Sequence, residues 1–264
     1  MKLGIVCTKP SPRTEMVRRL LAKNYNIVDV LDCDEAAGND RLVVLGGDGS
    51  MLRAIHNFHH CGLPFYGINC GGVGFMLNEF TGNYDIDSVG SPTNIVVEIN
   101  PMVAMVVTVG GSEYSSIIIN ELCLIRSVFR PCNINVNINS RERISKYSGD
   151  GIIVSTALGS TAYNSSVGGT LVPPGLGCLS MVALSPDRCC AFRNAIVKDD
   201  SIFEFHINEP EIKEVSAFCD GIEYKNVDYA KTWLNRQQKI RLLFKTSMTL
   251  EEKVLERQFP KFWN

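Results

Sequence analysis

The chain has 264 residues, 45% of them hydrophobic and 20% charged, with 26 Lys plus Arg against 28 Asp plus Glu for a formal charge of −2. That balance fills a sizeable core and excludes disordered, collagen-like and coiled-coil chains. Without a basic surplus or a polybasic run, neither nucleic acid nor a membrane surface is an expected partner.

In chain order, Leu3 to Cys7 reads as a buried strand, and its apolar run is too short for a signal-peptide core. No run of about eighteen apolar residues follows anywhere, so no transmembrane helix is expected. Ser11 offers a helix cap with Pro12 at the first helical position, and Met16, Val17, Leu20 and Leu21 recur at helical spacing. A strand over 26–31, an acidic loop Asp32-Cys33-Asp34-Glu35 and a buried run Leu42 to Leu45 come next. Gly46-Gly47-Asp48-Gly49 breaks that run before a helix marked by Met51, Leu52, Ile55 and Phe58, and Phe65 to Asn69 forms the next strand. This rhythm predicts an α/β N-terminal domain, residues 1–94, with a parallel sheet.

From residue 95 the texture becomes β. Asn133 to Asn139 alternates strictly, with Ile134, Val136 and Ile138 on one face and asparagines on the other, as in a half-buried antiparallel strand. An all-β, sandwich-like domain is expected over 95–245. A C-terminal helical segment, 246–264, is expected to return to the first domain, opened by a Thr249/Glu252 capping box and stopped by Pro260.

Three clusters carry chemistry. In the first, Gly46, Gly47 and Gly49 surround Asp48 between a buried strand and a helix start. Small residues and free N–H groups there suit a phosphate, although a tight turn with Asp48 as helix cap fits the same residues. It is neither GxGxxG nor a Walker A, which needs a Lys after the last glycine. The second turn, Gly67 to Phe75, follows the next strand, so both turns are expected at the carboxyl ends of neighbouring strands, where open α/β sheets bind ligands. The third cluster is Ser148-Gly149-Asp150-Gly151 and Ser155 to Ser166 with Gly168-Gly169. It offers hydroxyls, backbone groups and a flat Tyr163, or simply a polar surface loop.

In this order the clusters resemble the NAD kinase family. The matching residues are Gly46 to Gly49, Asn69 to Phe75, Asn120-Glu121, Gly149 to Gly151, Ser155 to Tyr163 with Gly168-Gly169, and Asp220-Gly221. The resemblance implies transfer of a phosphoryl group from ATP or polyphosphate, with a divalent metal such as Mg2+, to the 2′-hydroxyl of NAD. It implies that Asp48 accepts the hydroxyl proton, with Gly49 beside the phosphates. Asn120 and Glu121 would contact adenine and ribose, and Asp150 would face the nicotinamide end. Thr161, Ala162, Tyr163 and Ser166 would line the adenine site, with Ser148, Asn164, Ser165 and Ala183 as further NAD contacts. Arg53 either reaches a phosphate or stays a surface charge. A homodimer or homotetramer built through the β domain is implied as well. A lipid or sugar kinase sharing only the first turn, or a non-catalytic NAD(P) sensor, is the alternative. Ala157-Leu158 and Ile222 depart from the family pattern, which leaves Asp48 and the phosphate turns untouched.

Other groups read more plainly. The ten cysteines are scattered and none forms a CxxC pair, as expected of free thiols in the cytoplasm. Cys70 is read as a small buried residue rather than a redox switch. His56 and His60 share a helix face without a third ligand on it, so a solvated helix end is expected there and no protein metal site.

Overall fold

The computed structural model describes residues 1–72, 74–246 and 249–259, and the chain falls into two units. The first comprises Met1–Ile99 and Lys239–Lys253; the second is built on Asn100–Gln238. In the first unit the order is β1 (Lys2–Val6), α1 (Pro12–Asn24), β2 (Asn26–Asp29), α2 (Cys33–Ala36), β3 (Arg41–Gly46), α3 (Asp48–Phe58), β4 (Phe65–Asn69), β5 (Asn78–Glu79), α4 (Asn83–Val89) and β6 (Ile95–Ile99). The second unit follows with β7 (Met102–Thr108), β8 (Glu113–Ile118), β9 (Glu121–Arg126), β10 (Cys132–Ile138), β11 (Arg141–Gly149), β12 (Gly151–Ser155), α5 (Tyr163–Ser166), β13 (Cys178–Leu184), β14 (Asn194–Lys198), β15 (Phe203–Ile207), β16 (Val215–Cys219), β17 (Ile222–Tyr224) and β18 (Val227–Leu234). The chain then adds β19 (Ile240–Phe244) and α6 (Leu250–Gln258). Pro260, the expected stop of the last helix, lies outside the described residues, as does Val73 of the second turn.

The first sheet is ordered β2-β1-β3-β4-β19-β6, with β5 beside β4. It is mixed rather than wholly parallel: β19 runs parallel to β4 but antiparallel to β6. Because β6 and β19 hydrogen-bond into this sheet, the expected boundaries at 94 and 245 shift to about Ile99 and Lys239. Ser11 caps α1 as expected: its Oγ accepts from Thr14 N at 3.1 Å and Thr14 Oγ1 accepts from Ser11 N at 2.8 Å. Val17 and Leu21 from α1 join Leu3, Ile5, Val43, Leu45, Tyr66 and Ile68 in one core, each such side chain contributing about 1.5–3 kcal/mol by leaving water. The acidic stretch is not a plain loop. Asp32 caps the short α2, its Oδ1 accepting from Glu35 N at 3.0 Å.

The second unit is an antiparallel sandwich of two six-stranded sheets, β11-β10-β15-β18-β7-β8 and β14-β13-β12-β9-β16-β17. Their inner faces meet through Ile134, Val136, Phe203 and Phe205 on one side and Leu122, Leu124, Ile152 and Met181 on the other. Ile134 and Val136 are fully buried, as the alternation in β10 requires. The second sheet has an outer apolar face as well, made by Cys123, Ile153, Val182 and Leu184.

Candidate active site

In the first unit, Gly46 at the end of β3 stands in register with Asn69 at the end of the parallel β4, and Cys70 N donates to Gly46 O at 2.8 Å. Both glycine turns therefore leave the same end of the sheet. A Cβ on Gly46 would lie 2.4 Å from Ser50 Oγ, so the backbone bend into α3 needs glycine there. Gly47 and Gly49 differ: a Cβ on either would meet nothing within 4 Å. Their bareness serves no internal packing and leaves the α3 N-terminus open to a ligand.

Gly47, not Asp48, occupies the cap position of α3. Asp48 is the first helical residue, and its carboxylate reaches across to the second turn. Oδ2 accepts from Phe75 N and Oδ1 from Met76 N, both at 2.8 Å. Each oxygen keeps a second lone pair, so the latch leaves Asp48 able to accept a proton. The same loop is held from its other side by Lys253 of α6, whose buried Nζ donates to the carbonyls of Gly74 and Phe75 at 3.0 Å and of Leu77 at 2.5 Å. Asn69 closes the turn internally, Oδ1 accepting from Gly71 N at 3.0 Å and Nδ2 donating to Gly72 O at 2.5 Å. Arg53 is exposed and donates to Thr8 Oγ1 at 3.2 Å, which in turn bonds Ser50 Oγ at 3.0 Å. Burial pushes the Cys70 thiol up, which keeps it protonated and unreactive.

In the second unit, three segments converge at one end of the sheet that contains β9, β12 and β16. Glu121, at the start of β9, pairs with Ser155 at the end of β12. Thr156 then turns the chain, its Oγ1 donating to Ile119 O at 2.6 Å and accepting from Gly159 N at 3.0 Å. Gly159 presses on the Asn120 backbone so closely that a Cβ would lie 2.1 Å from Asn120 O. Asp220-Gly221 forms the two-residue hairpin between β16 and β17 with φ of +49° and +88°, the left-handed pair such turns require. The Asp220 carboxylate accepts from Ile119 N, Asn120 N and Glu121 N at 2.6, 2.8 and 3.2 Å, bracing the Asn-Glu pair.

The period-two alternation of β9 turns Glu121, Cys123 and Ile125 outward. With Tyr163, Phe218 and Gly221 they line a cavity of about 300 Å³, mostly apolar and at the small end of ligand pockets. Glu121 brings the polar group: its Oε2 is buried with no protein partner. Burial first, and the Asp220 charge second, push its carboxyl up to about 8. At neutral pH it is an uncharged acid with a proton to donate. Asp150, at the other end of β12, is paired with Arg126 Nε at 2.5 Å.

Two of the expected NAD contacts are placed otherwise. The side chain of Ala183 packs in the inter-sheet core, because β13 turns Val182 and Leu184 to the outer face and Ala183 inward. Asn164 is fully buried, its amide donating to Ser160 O and Thr170 O and accepting from Ser180 Oγ, so it shapes the turn. Ser148 spends its hydroxyl on the Asp187 carboxylate, and Thr161 donates to Leu158 O at 3.1 Å. Tyr163 and Ser166 are exposed, while Ala162 and Ser165 are half-buried. Sequence reasoning missed Lys253, Arg126 and the bracing role of Asp220; Cys123 and Ile125 were open to it by counting in twos from Glu121.

An α/β unit with a glycine-flanked carboxylate at a helix start, and a sandwich unit with a ring-sized apolar pocket, are the parts of a two-domain nucleotide kinase. The chain matches the family model of the ATP-NAD kinase N-terminal domain over residues 6–87 and that of the ATP-NAD kinase C-terminal domain over 119–234. It is 34% identical over 220 residues to an NAD kinase of Xylella fastidiosa (strain 9a5c), spanning 83% of this chain and 84% of that one. To an NAD kinase of Rickettsia typhi it is 28% identical over 258 residues, 98% of each chain. Its fold is similar to that of yeast NADH kinase complexed with NADH, at a TM-score of 0.83 and 18% identity, covering 100% of this chain and 89% of that one. An NAD kinase from Archaeoglobus fulgidus in complex with ATP gives 0.78 and 18%, covering 97% and 98%. The chain belongs to the NAD kinase family.

Proposed function

We propose that this protein is an NAD kinase, transferring the terminal phosphoryl group of ATP to the 2′-hydroxyl of the adenosine ribose of NAD and releasing NADP and ADP. The observation that carries this reading is Asp48, the only side chain of consequence among three glycines, held by two backbone N–H groups with a lone pair to spare on each oxygen. As the ribose oxygen attacks phosphorus its O–H bond breaks and the proton passes to Asp48. Base assistance of this kind is worth on the order of 10²–10⁴ in rate. The bare amides at Gly47 and Gly49 are suited to the phosphate oxygens.

A divalent metal fits this turn in the way Mg2+ is usually held, by substrate phosphates and water with one or two carboxylates. Asp48 is the carboxylate the GGDG turn itself offers. When bound, the metal neutralises charge on the transferring phosphate. For the dinucleotide, the wall of Tyr163, Cys123, Ile125 and Phe218 supports binding of a flat ring, with the Glu121 proton facing a ring or ribose acceptor. Asn120, Asp150, Ser165 and Ser166 remain proposed contacts of the same substrate. Polyphosphate as an alternative donor belongs to the proposal too, since the turn selects phosphate chemistry rather than a base. So does a homo-oligomer, whose assembly would cover sheet edges and exposed apolar residues such as Tyr114, Ile196 and Ile222. The ten free cysteines are in keeping with a cytoplasmic setting.

The test is a coupled assay for NADP made from NAD by the purified chain, with ATP and polyphosphate in parallel. NADP formation with either donor supports the reading. Binding of NAD without NADP formation would favour a sensor, and phosphorylation of a lipid or sugar instead would overturn the assignment.

A further inference from the structure

The acidic segment Asp32 to Glu35 and the triplet His59-His60-Cys61 are distant in sequence, but the first unit folds them together. Cys33 opens α2, and His60 and Cys61 lie in the 3-10 turn that ends α3. Cys33 Sγ is 2.7 Å from His60 Nε2, and the ligand atoms of Cys33, His60 and Cys61 all lie within 4.8 Å of one another. The spacing on α3 alone did not show this, because both sulfurs come from outside the His56/His60 face.

We propose that Cys33, His60 and Cys61 form a binding site for a thiophilic divalent metal of the zinc type. Two thiolates and one imidazole suit zinc, which takes Zn–S near 2.3 Å and Zn–N near 2.0–2.1 Å in tetrahedral geometry. Such an ion keeps its ligands about 3.5–3.8 Å apart, a spread within the 4.8 Å envelope. His60 is exposed and has room to swing back from Cys33 as the ion enters, while the two cysteines are half-buried. On binding, each thiol gives its proton to solvent. The two thiolates then balance the dication, so the site carries no net charge, and water takes the fourth position. Asp32 and Glu35, tied into the α2 turn by bonds to Glu35 N at 3.0 Å and Leu31 N at 2.6 Å, add negative potential around it. His60 follows Asp48 by twelve positions, about 18 Å along a helix, so this metal is separate from the one that accompanies ATP. Its role is to staple α2 to the far end of the helix that begins with Asp48.

The experiment titrates Co2+, as a coloured stand-in for zinc, into the reduced full-length chain freed of metal. One equivalent per chain should give an intense thiolate-to-cobalt charge-transfer band, which added Zn2+ abolishes, and Zn2+ should raise the melting temperature. Cys33→Ser and Cys61→Ser should lose the band, and His60→Gln should weaken binding at least about tenfold, the smallest loss that even an outer-shell partner produces. Cys189→Ser, at an exposed position, should leave the band intact and serves as the control. A melting transition in each variant shows that it is folded. No thiolate band, a band that survives in Cys33→Ser, or a Cys33–Cys61 disulfide in protein kept under reductant would overturn the proposal.

Discussion

Glu121 sits at the opening of β9 with its carboxyl buried and pushed up to about 8, against 4.5 for an ordinary glutamate. Between those two values the folded chain holds a proton that the unfolded chain has released. Stability from this group therefore falls as pH rises from about 4.5 to about 8 and is level above that. Thermal unfolding between about pH 5 and 8 should show a decline in melting temperature that Glu121→Gln largely removes, the variant being at least as stable as wild type at the upper end. An identical slope in both proteins would mean that water reaches the carboxyl. Its neighbour in the pocket, Tyr163, is held at the start of α5 and remains exposed. If its ring stacks on a base of NAD, Tyr163→Ala should raise KM for NAD by an amount corresponding to about 1–3 kcal/mol while kcat changes less. Steady-state kinetics on the folded variant decide it, and an unchanged KM would remove Tyr163 from the site.

At the scale of elements, the glycine turns divide into those the fold requires and those it does not. Gly159 is packed on the Asn120 backbone, whereas Gly49 faces open space. Gly159→Ala should lower the melting temperature, because the turn after β12 must move off Asn120. Gly49→Ala should leave melting nearly unchanged yet sharply reduce NADP formation, since the added methyl occupies only ligand space. Equal losses of stability in the two variants would show that Gly49 also serves packing. The division explains what the sequence disclosed. Buried runs, alternation in β10 and the Ser11 cap depend on residues a few positions apart, and their spacing is visible in a single chain. Lys253 reaches the carbonyl of Gly74 from 179 positions away, and nothing in the spacing around either residue announces the pair. Ala183 was legible in principle: β13 alternates, and placing Val182 and Leu184 on the outer face turns Ala183 into the core. The pairing of Arg126 with Asp150 and the meeting of Cys33 with His60 depend on how β9 and β12 or α2 and α3 come to neighbour each other, which only the fold determines.

At the scale of the whole molecule, the sequence order of the three clusters carried the family assignment, while the unit boundaries moved because β6 and β19 complete the first sheet. The proposed assembly predicts that sedimentation at micromolar concentration gives a multiple of 29.2 kDa; a species of that mass alone would contradict it. Chemistry, however, converges on Asp48, and there the structure sharpens the test. Asp48→Asn removes the charged proton acceptor but also turns an amide N–H toward one of the two backbone donors, Phe75 N or Met76 N. A lost hydrogen bond to a charged group costs about 1.5–3 kcal/mol, so melting temperature must be read beside turnover. The decisive measurement is kcat for NADP formation in Asp48→Asn, with KM for NAD and the melting temperature determined on the same preparation. A fall in kcat on the order of 10²–10⁴ is expected, with NAD still bound and the chain still folded. A folded variant that keeps more than about a tenth of wild-type turnover, well outside that range, would reduce Asp48 to a latch between the two turns and contradict its role as proton acceptor.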